Sequence, residues 1–213
     1  MSLSEPVSHP IFARLFARLV RMEGRVERAH RVAMLDGVAG RIVEVGAGSG
    51  ANFAHYGPGV TEVIAVEPEP YMRGEAAKAA ATAPVPVRVV EGTADHLPVG
   101  NGEADAVVFS LVLCSVADQA RALAEARRVL RPGGEVRFFE HVAAEPGALA
   151  RAQRVLDATV WPRAFGGCHT HRDTAGAIRD AGFTMERCDS IRVMPCALAL
   201  PVAPHVIGIA RRD

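Results

Sequence analysis

The sequence predicts an α/β protein with a doubly wound, seven-stranded, mostly parallel sheet whose last strand runs antiparallel. Short apolar, β-branched runs alternate with helical patterns five times between positions 41 and 142. Such alternation favours a parallel sheet with helices on both faces. Two more helical patterns then precede two strand-like runs, at 184–193 and 205–211. The stretch 194–204 that joins those runs is long enough to let the last strand reverse direction.

The predicted elements follow from local patterns. The run 104–113 is almost continuously apolar, as expected of a strand buried on both faces. The helix at 118–130 starts at an N-capping Asp118 and ends before the turn-forming 131–134. The five alternating strands are expected at 41–45, 60–66, 85–90, 104–113 and 135–142, and helices are expected from Ala51, at 70–81, 118–130, 149–161 and 172–181.

Composition narrows the class of protein. The chain has 213 residues with 49% apolar side chains, enough to bury one core, and equal numbers of basic and acidic residues, 24 of each. A neutral chain is not expected to bind nucleic acid, which normally requires a basic excess. The four cysteines form no CxxC pair and no zinc-ligand spacing. We therefore expect reduced thiols, a cytoplasmic location and no metal site.

The N-terminal segment is predicted to be helical and separate from the main domain. Residues 11–37 show an apolar stripe that includes Phe12 and Phe16, with arginines off that stripe. We interpret residues 1–38 as a helical lid and 39–213 as the ligand-binding domain. The same helix could make weak contact with a membrane surface, whereas no run reaches the roughly 20 apolar residues of a transmembrane span.

A glycine-rich loop follows the first predicted strand. Gly46, Gly48 and Gly50 allow a sharp turn and close approach of a ligand to the backbone. Glu67 lies 21 residues after Gly46, at the end of the second strand, where a carboxylate can bind both ribose hydroxyls. The pattern predicts a nucleoside-binding crevice at the carboxyl ends of parallel strands.

A dinucleotide-binding oxidoreductase is the alternative interpretation of the same loop, because Gly46, Gly48 and Ala51 also satisfy the looser GxGxxG/A fingerprint. Two features oppose it. Glu44, just before the loop, would complement a cationic amino-acid ligand and repel a pyrophosphate. The chain also offers no second mononucleotide-binding half after the fifth strand.

Four motifs in order resemble those of class I S-adenosylmethionine-dependent methyltransferases. They are the glycine loop 44–50, the string 66–68, the fourth-strand segment 105–113 and the turn 130–134. The resemblance implies a Rossmann-like methyltransferase fold that binds S-adenosyl-L-methionine and releases S-adenosyl-L-homocysteine. It places the methionine moiety at the glycine loop, the ribose at Glu67 and the adenine beside the third-strand loop. The residues it implies for cofactor binding are Glu44, Gly46, Ala47, Gly48, Asn52, Glu67, Pro68, Thr93, Ala94, Asp95, Ser110 and Leu111.

Longer strings, at 50–53, 111–116, 140–145, 167–168 and 204–205, resemble the animal alkyl-thiol S-methyltransferases. That resemblance implies methyl transfer to a small hydrophobic acceptor, in the first place a thiol. The alternatives are C- or O-methylation of a quinone- or phenol-like small molecule, and a non-catalytic cofactor-binding module.

Two residues are candidates for the chemistry. His141, at the end of the fifth strand, is either a general base or part of the pocket wall. Cys114 occupies the position that faces the transferred methyl group in the relatives, although a small buried cysteine most often only packs. The string 168–171, Cys-His-Thr-His, is interpreted as a loop before a helix, since histidines two residues apart do not share a helix face.

Overall fold

The computed structural model describes residues 25–194 and 197–213. The strands are β1 (Gly40–Val45), β2 (Val60–Val66), β3 (Val87–Val90), β4 (Ala104–Ser110), β5 (Leu130–His141), β6 (Phe183–Arg192) and β7 (Pro204–Arg212). The helices are α1 (Arg25–Leu35), α2 (Pro70–Ala80), α3 (Gln119–Val129), α4 (Ala148–Ala158), α5 (Trp161–Ala164) and α6 (Thr174–Asp180).

The seven strands form one sheet in the order β3-β2-β1-β4-β5-β7-β6. Strands β1 to β5 pair in parallel, and β7 pairs antiparallel with both β5 and β6. The predicted fold class and the antiparallel last strand are therefore confirmed. The chain order reverses between β1 and β4, and the carboxyl ends of strands at such a switch point form the usual ligand crevice of this architecture.

Apolar side chains cover both faces of the sheet. Successive residues of β1 enter different clusters, because side chains alternate across a strand: Ile42 packs on one face and Val43 on the other. Leu123 of α3 belongs to the cluster of Val43, and Met34 of α1 to that of Ile42. Burial on both faces explains why the parallel strands are apolar over nearly their whole length.

The predicted capping of α3 is confirmed. Asp118 precedes the helix and accepts a hydrogen bond from the backbone N–H of Arg121 at 3.1 Å. This bond satisfies one of the N–H groups that a helix leaves unpaired in its first turn.

Three local predictions were wrong. The expected helix from Ala51 is a turn followed by one short 3-10 segment, Phe53–His55, because Gly57, Pro58 and Gly59 leave too few residues for a helix. Strand β4 ends at Ser110 instead of residue 113, since Leu111 takes a φ of 61° that turns the chain away from the sheet. Strand β5 begins at Leu130, five residues early, and pairs with β4 through a register shift.

The described part of the predicted N-terminal helix is α1, which packs against β5 and β7. The apolar stripe around Phe12 and Phe16 lies outside the described residues. Within 25–194 and 197–213, none of the helices combines the length and apolar character that a membrane span requires.

Candidate functional site

A cavity of about 60 Å³ opens where the carboxyl ends of β1 and β4 lie side by side. Seven of the residues predicted to bind the cofactor line it: Glu44, Gly46, Ala47, Gly48, Asn52, Ser110 and Leu111. The other three lining residues, which were not among the predicted cofactor-binding residues, are Arg31, Ser49 and Ala51. Small-molecule pockets usually exceed roughly 300 Å³, so this cavity has room for only one part of an extended ligand.

The glycines of the loop serve two different purposes. All three have positive φ, 64° at Gly46, 56° at Gly48 and 83° at Gly50, a region that side chains disfavour. A Cβ at Gly46 would lie 2.7 Å from a methyl carbon of Val112, so packing excludes any side chain there. A Cβ at Gly48 would meet nothing within 4 Å. Gly48 therefore leaves open space beside the cavity.

Glu44 is a buried carboxylate at the floor of the cavity, with only 2% of its surface exposed. It accepts hydrogen bonds from Tyr56 Oη at 2.6 Å and from Asn52 Nδ2 at 2.9 Å. Burial raises the pKa of Glu44 to about 7, and the two hydrogen bonds and the charge of Arg31 offset only part of that effect. A cationic group entering the cavity would favour the ionised form of Glu44.

Arg31 is the main residue that the sequence analysis missed. It reaches the cavity from α1, and its Nη1 donates to Asn52 Oδ1 at 3.0 Å and to Ser110 Oγ at 2.7 Å. Its residue exposure is 5%. No sequence signal identifies it, because an arginine on an amphipathic helix normally indicates a solvated face.

Glu67 contacts the glycine loop directly. Its carboxylate accepts from the backbone N–H of Gly48 at 2.8 Å and from that of Glu69 at 2.9 Å. Burial raises the pKa of Glu67, and these two backbone hydrogen bonds oppose the shift. The side chain therefore fixes the loop in place, a role in addition to the predicted contact with ribose.

The remaining predicted cofactor residues lie away from the cavity. Thr93 forms a one-residue bridge with His96, Ala94 packs against the core, and Asp95 is exposed. The carbonyl of Pro68 accepts a hydrogen bond from Arg73 at 2.5 Å. These residues follow β2 and β3, on the side of β1 opposite β4.

The two predicted catalytic residues meet a third in a separate cluster. Cys114 Sγ, Cys168 Sγ and a ring nitrogen of His141 all lie within 4.8 Å of one another. The distance from Cys168 Sγ to His141 Nδ1 is 3.5 Å. Both cysteines are buried, with 1% and 7% exposure. The string 168–171 was predicted to be a loop, and nothing in its local pattern marks the proximity of Cys168 to residues 27 and 54 positions earlier.

Backbone hydrogen bonds hold the Cys114 loop. The carboxylate of Glu140, at the end of β5, accepts from the N–H groups of Val112, Leu113 and Cys114 at 2.8, 3.0 and 3.1 Å. Arg172 donates to the carbonyl of Leu113 at 2.7 Å. Burial raises the pKa of Glu140, and the three N–H groups oppose that shift.

The Cys168 loop is held against the Cys114 loop. The N–H of His169 donates to the carbonyl of Cys114 at 2.8 Å. Gly167, with a φ of 85°, brings its backbone so close that a Cβ would lie 3.0 Å from the carbonyl oxygen of Ser115. The cluster is therefore positioned by main-chain contacts from both loops.

The pKa values of the two thiols are shifted in opposite directions. A hydrogen bond from Cys114, together with the adjacent His141 and Trp161, lowers the pKa of the Cys168 thiol despite its burial. The same hydrogen bond, burial and the charge of Glu140 raise the pKa of Cys114. The two thiols therefore share one proton, which stays on Cys114 when Cys168 is a thiolate.

Comparisons with known proteins agree with the fold and the glycine loop. A methyltransferase-domain family model matches residues 43–138. The chain is 33% identical over 217 aligned residues to human thiol S-methyltransferase TMT1B, covering 97% of this chain and 88% of that protein. It is 39% identical over 173 residues to human thiol S-methyltransferase TMT1A, covering 79% of this chain and 69% of that protein.

A solved structure supports the same architecture. A SAM-dependent methyltransferase of Thermotoga maritima, described as a possible histamine N-methyltransferase, superposes with a TM-score of 0.67 at 24% identity. The match covers 95% of this chain and 99% of that protein, and shows the fold. The chain is therefore an S-adenosylmethionine-dependent class I methyltransferase that belongs to the family of the thiol S-methyltransferases.

Proposed function

We propose that this enzyme methylates the sulfur of a small apolar thiol. The observation that carries the proposal is the likeness to thiol S-methyltransferases over 97% of the chain. The cluster of Cys114, His141 and Cys168 beyond β4 and β5 is where we place the acceptor. The quinone, phenol and non-catalytic alternatives have no comparable support.

The glycine-loop cavity fits the methionine end of the cofactor. The pKa of the buried Glu44 carboxyl stays raised despite the charge of Arg31, and a cationic amino-acid group would further favour its ionised form. We assign Glu44, Asn52 and Gly48 to that end of the ligand, and Glu67 to the ribose. When bound, the cofactor supplies a methyl group that its sulfonium already activates.

The adenine is assigned to the loop after β3, with Pro68 from the preceding strand end. Thr93 can offer a hydroxyl and Ala94 a backbone N–H to the ring, while Asp95 is the acidic side chain nearest in sequence. Ser110 and Leu111 close the cavity at the end of β4.

The protein's remaining task is to present the acceptor as a thiolate. A free thiol has a pKa of about 8.5, so only modest stabilisation of the anion is needed near neutral pH. A phenol, with a pKa of about 10, would need stronger help. His141 and Cys114 lie in the cluster that we assign to the acceptor.

We also propose the N-terminal lid, residues 1–38, and a cytoplasmic location. The described part of the lid, α1, already contributes Arg31 to the cavity. The described cysteines, Cys114, Cys168 and Cys188, are all free thiols, as is usual in a reducing compartment.

The test is a methyl-transfer screen with isotopically labelled S-adenosylmethionine. Alkyl thiols, phenols, quinols and amines are offered to one enzyme preparation, and products are identified by mass spectrometry. We expect labelled thioethers from apolar thiols. Methylated quinol or phenol as the main product would refute the thiol assignment.

The variant Gly48→Val tests where the cofactor binds. The new side chain has no protein neighbour within 4 Å of its Cβ, so it fills the space that we assign to the ligand. Gly37→Val is the control, because Gly37 has the same kind of positive φ, 71°, and the same open surroundings. We expect Gly48→Val to abolish S-adenosylhomocysteine binding in calorimetry and Gly37→Val to retain it at comparable stability. Equal binding by both variants would contradict the placement of the cofactor.

A further inference from the structure

The cluster of Cys114, His141 and Cys168 has the composition of a metal site. Two thiolates and one imidazole are ligands that zinc binds in proteins, and three-ligand sites of this type leave a fourth position open for substrate. Local spacing in the sequence predicted no metal site. The structure brings the three ligands together from the segment after β4, the end of β5 and the loop before α6.

The distances suit tetrahedral coordination. With Zn–S bonds of about 2.3 Å and Zn–N bonds of about 2.0 Å, a sulfur and a nitrogen ligand lie about 3.5 Å apart. The distance between Cys168 Sγ and His141 Nδ1 is 3.5 Å, and no pair of ligand atoms is separated by more than 4.8 Å. Among the described residues, this is the one group of three such side chains in ligand range.

Hydrogen bonds from neighbouring residues position the loops that carry the two cysteines. Glu140 fixes the Cys114 backbone through three N–H groups, and His169 ties the Cys168 loop to the Cys114 carbonyl. Such supporting hydrogen bonds are typical of metal sites, because they hold the ligands in place before the metal arrives.

Charge also favours a divalent cation with one more anionic ligand. Two buried thiolates are costly by themselves, whereas two thiolates with Zn²⁺ are neutral. A third thiolate would leave one negative charge, which the half-buried guanidinium of Arg172 is placed to offset, since it interacts electrostatically with both cysteines.

We infer that Cys114, His141 and Cys168 bind one zinc ion, whose fourth position takes the sulfur of the thiol acceptor. This inference rests on the proposed function for the identity of the fourth ligand. When the acceptor binds, its S–H bond breaks, the electron pair stays on sulfur and forms the zinc–sulfur bond, and the proton passes to solvent. The zinc keeps its oxidation state. A metal-bound sulfur is deprotonated at neutral pH without a separate base, and is positioned at the carboxyl edge of β4 and β5.

The first test is the metal content of the purified full chain, with any affinity tag removed. We expect about one zinc per chain, from the three-ligand site, and less than about one tenth of that in the double variant Cys114→Ser/Cys168→Ser. Cys188→Ser is the matched control, since Cys188 is a free cysteine outside the cluster, and it should retain the zinc. Circular dichroism and S-adenosylhomocysteine affinity verify that the double variant is folded.

The second test replaces zinc with cobalt(II), which reports thiolate ligation by charge-transfer absorption. We expect this absorption in the parent chain, a change when an alkyl thiol is added without cofactor, and no change with the matching thioether. Single variants Cys168→Ser and His141→Ala should weaken or shift it. Three results would overturn the inference. They are a zinc content well below one per chain, copper bound instead of zinc, and a Cys114–Cys168 disulfide in the purified protein.

Methyl transfer measured in parallel separates this inference from the proposed function. Full-rate thioether formation by metal-free enzyme would overturn the zinc site and leave thiol methylation standing. The opposite outcome is also distinguishable. A cobalt spectrum that responds to thiols would support the metal site, and the absence of any methylated thiol in the screen would refute the proposed function.

Discussion

Glu44 couples the stability of the cofactor-free protein to pH, and Glu44→Gln is the perturbation that isolates this effect. Burial raises its pKa from 4.5 to about 7. At roughly 1.36 kcal/mol per unit, this shift corresponds to about 3 kcal/mol. Because the folded pKa lies above the unfolded one, the contribution to the free energy of unfolding is fully present below pH 4.5 and is lost as pH rises through about 7.

The glutamine variant should not show this loss. A glutamine can still accept from Asn52 and can donate to the hydroxyl oxygen of Tyr56, so the hydrogen bonds are retained in number. We expect Glu44→Gln to exceed the parent by less than about 1 kcal/mol at pH 5 and by up to about 3 kcal/mol at pH 8. The same variant should bind S-adenosylhomocysteine more weakly, because it cannot balance the ligand's ammonium group.

Urea unfolding at pH 5 and pH 8 measures the first effect, and calorimetry in buffers of different ionisation enthalpy measures the second. If ligand binding ionises Glu44, a pKa of about 7 predicts release of about 0.9 proton at pH 6 and about 0.1 at pH 8. The variant should release none from this site. Identical pH slopes of stability in the two proteins, or proton release unchanged by the substitution, would refute the reasoning.

Two further predictions concern the cofactor loop and the lid. Glu67→Ala should weaken S-adenosylhomocysteine binding about 10- to 100-fold, since it removes a charge-assisted ribose contact and the support of the Gly48 N–H; unchanged affinity in calorimetry would contradict both roles. Deleting residues 1–20 should raise the acceptor KM while leaving S-adenosylhomocysteine affinity nearly unchanged. Equal losses of both would instead indicate that the segment is part of the domain core.

Much of the fold was predictable because it is encoded in short patterns. Apolar strands, an aspartate cap and a positive-φ glycine loop each have a local physical cause, and the glycine loop with Glu67 predicted the nucleotide crevice. The prediction failed after Ala51, where helical propensity was overridden within six residues by Gly57 and Pro58. It also failed at Leu111, whose positive φ depends on packing and has no local signature.

The composition of the site was only partly predictable, because sequence patterns report neighbours along the chain. The sequence by itself determined the glycine loop, the acidic residue before it and the carboxylate after β2. Only the tertiary structure decided that Arg31 of α1 enters the same cavity, and that Cys168 lies beside His141 and Cys114. The physical reason is the parallel sheet: it collects the carboxyl ends of β1, β4 and β5 at one edge, and it places side chains together there that lie 27 or more positions apart in the chain.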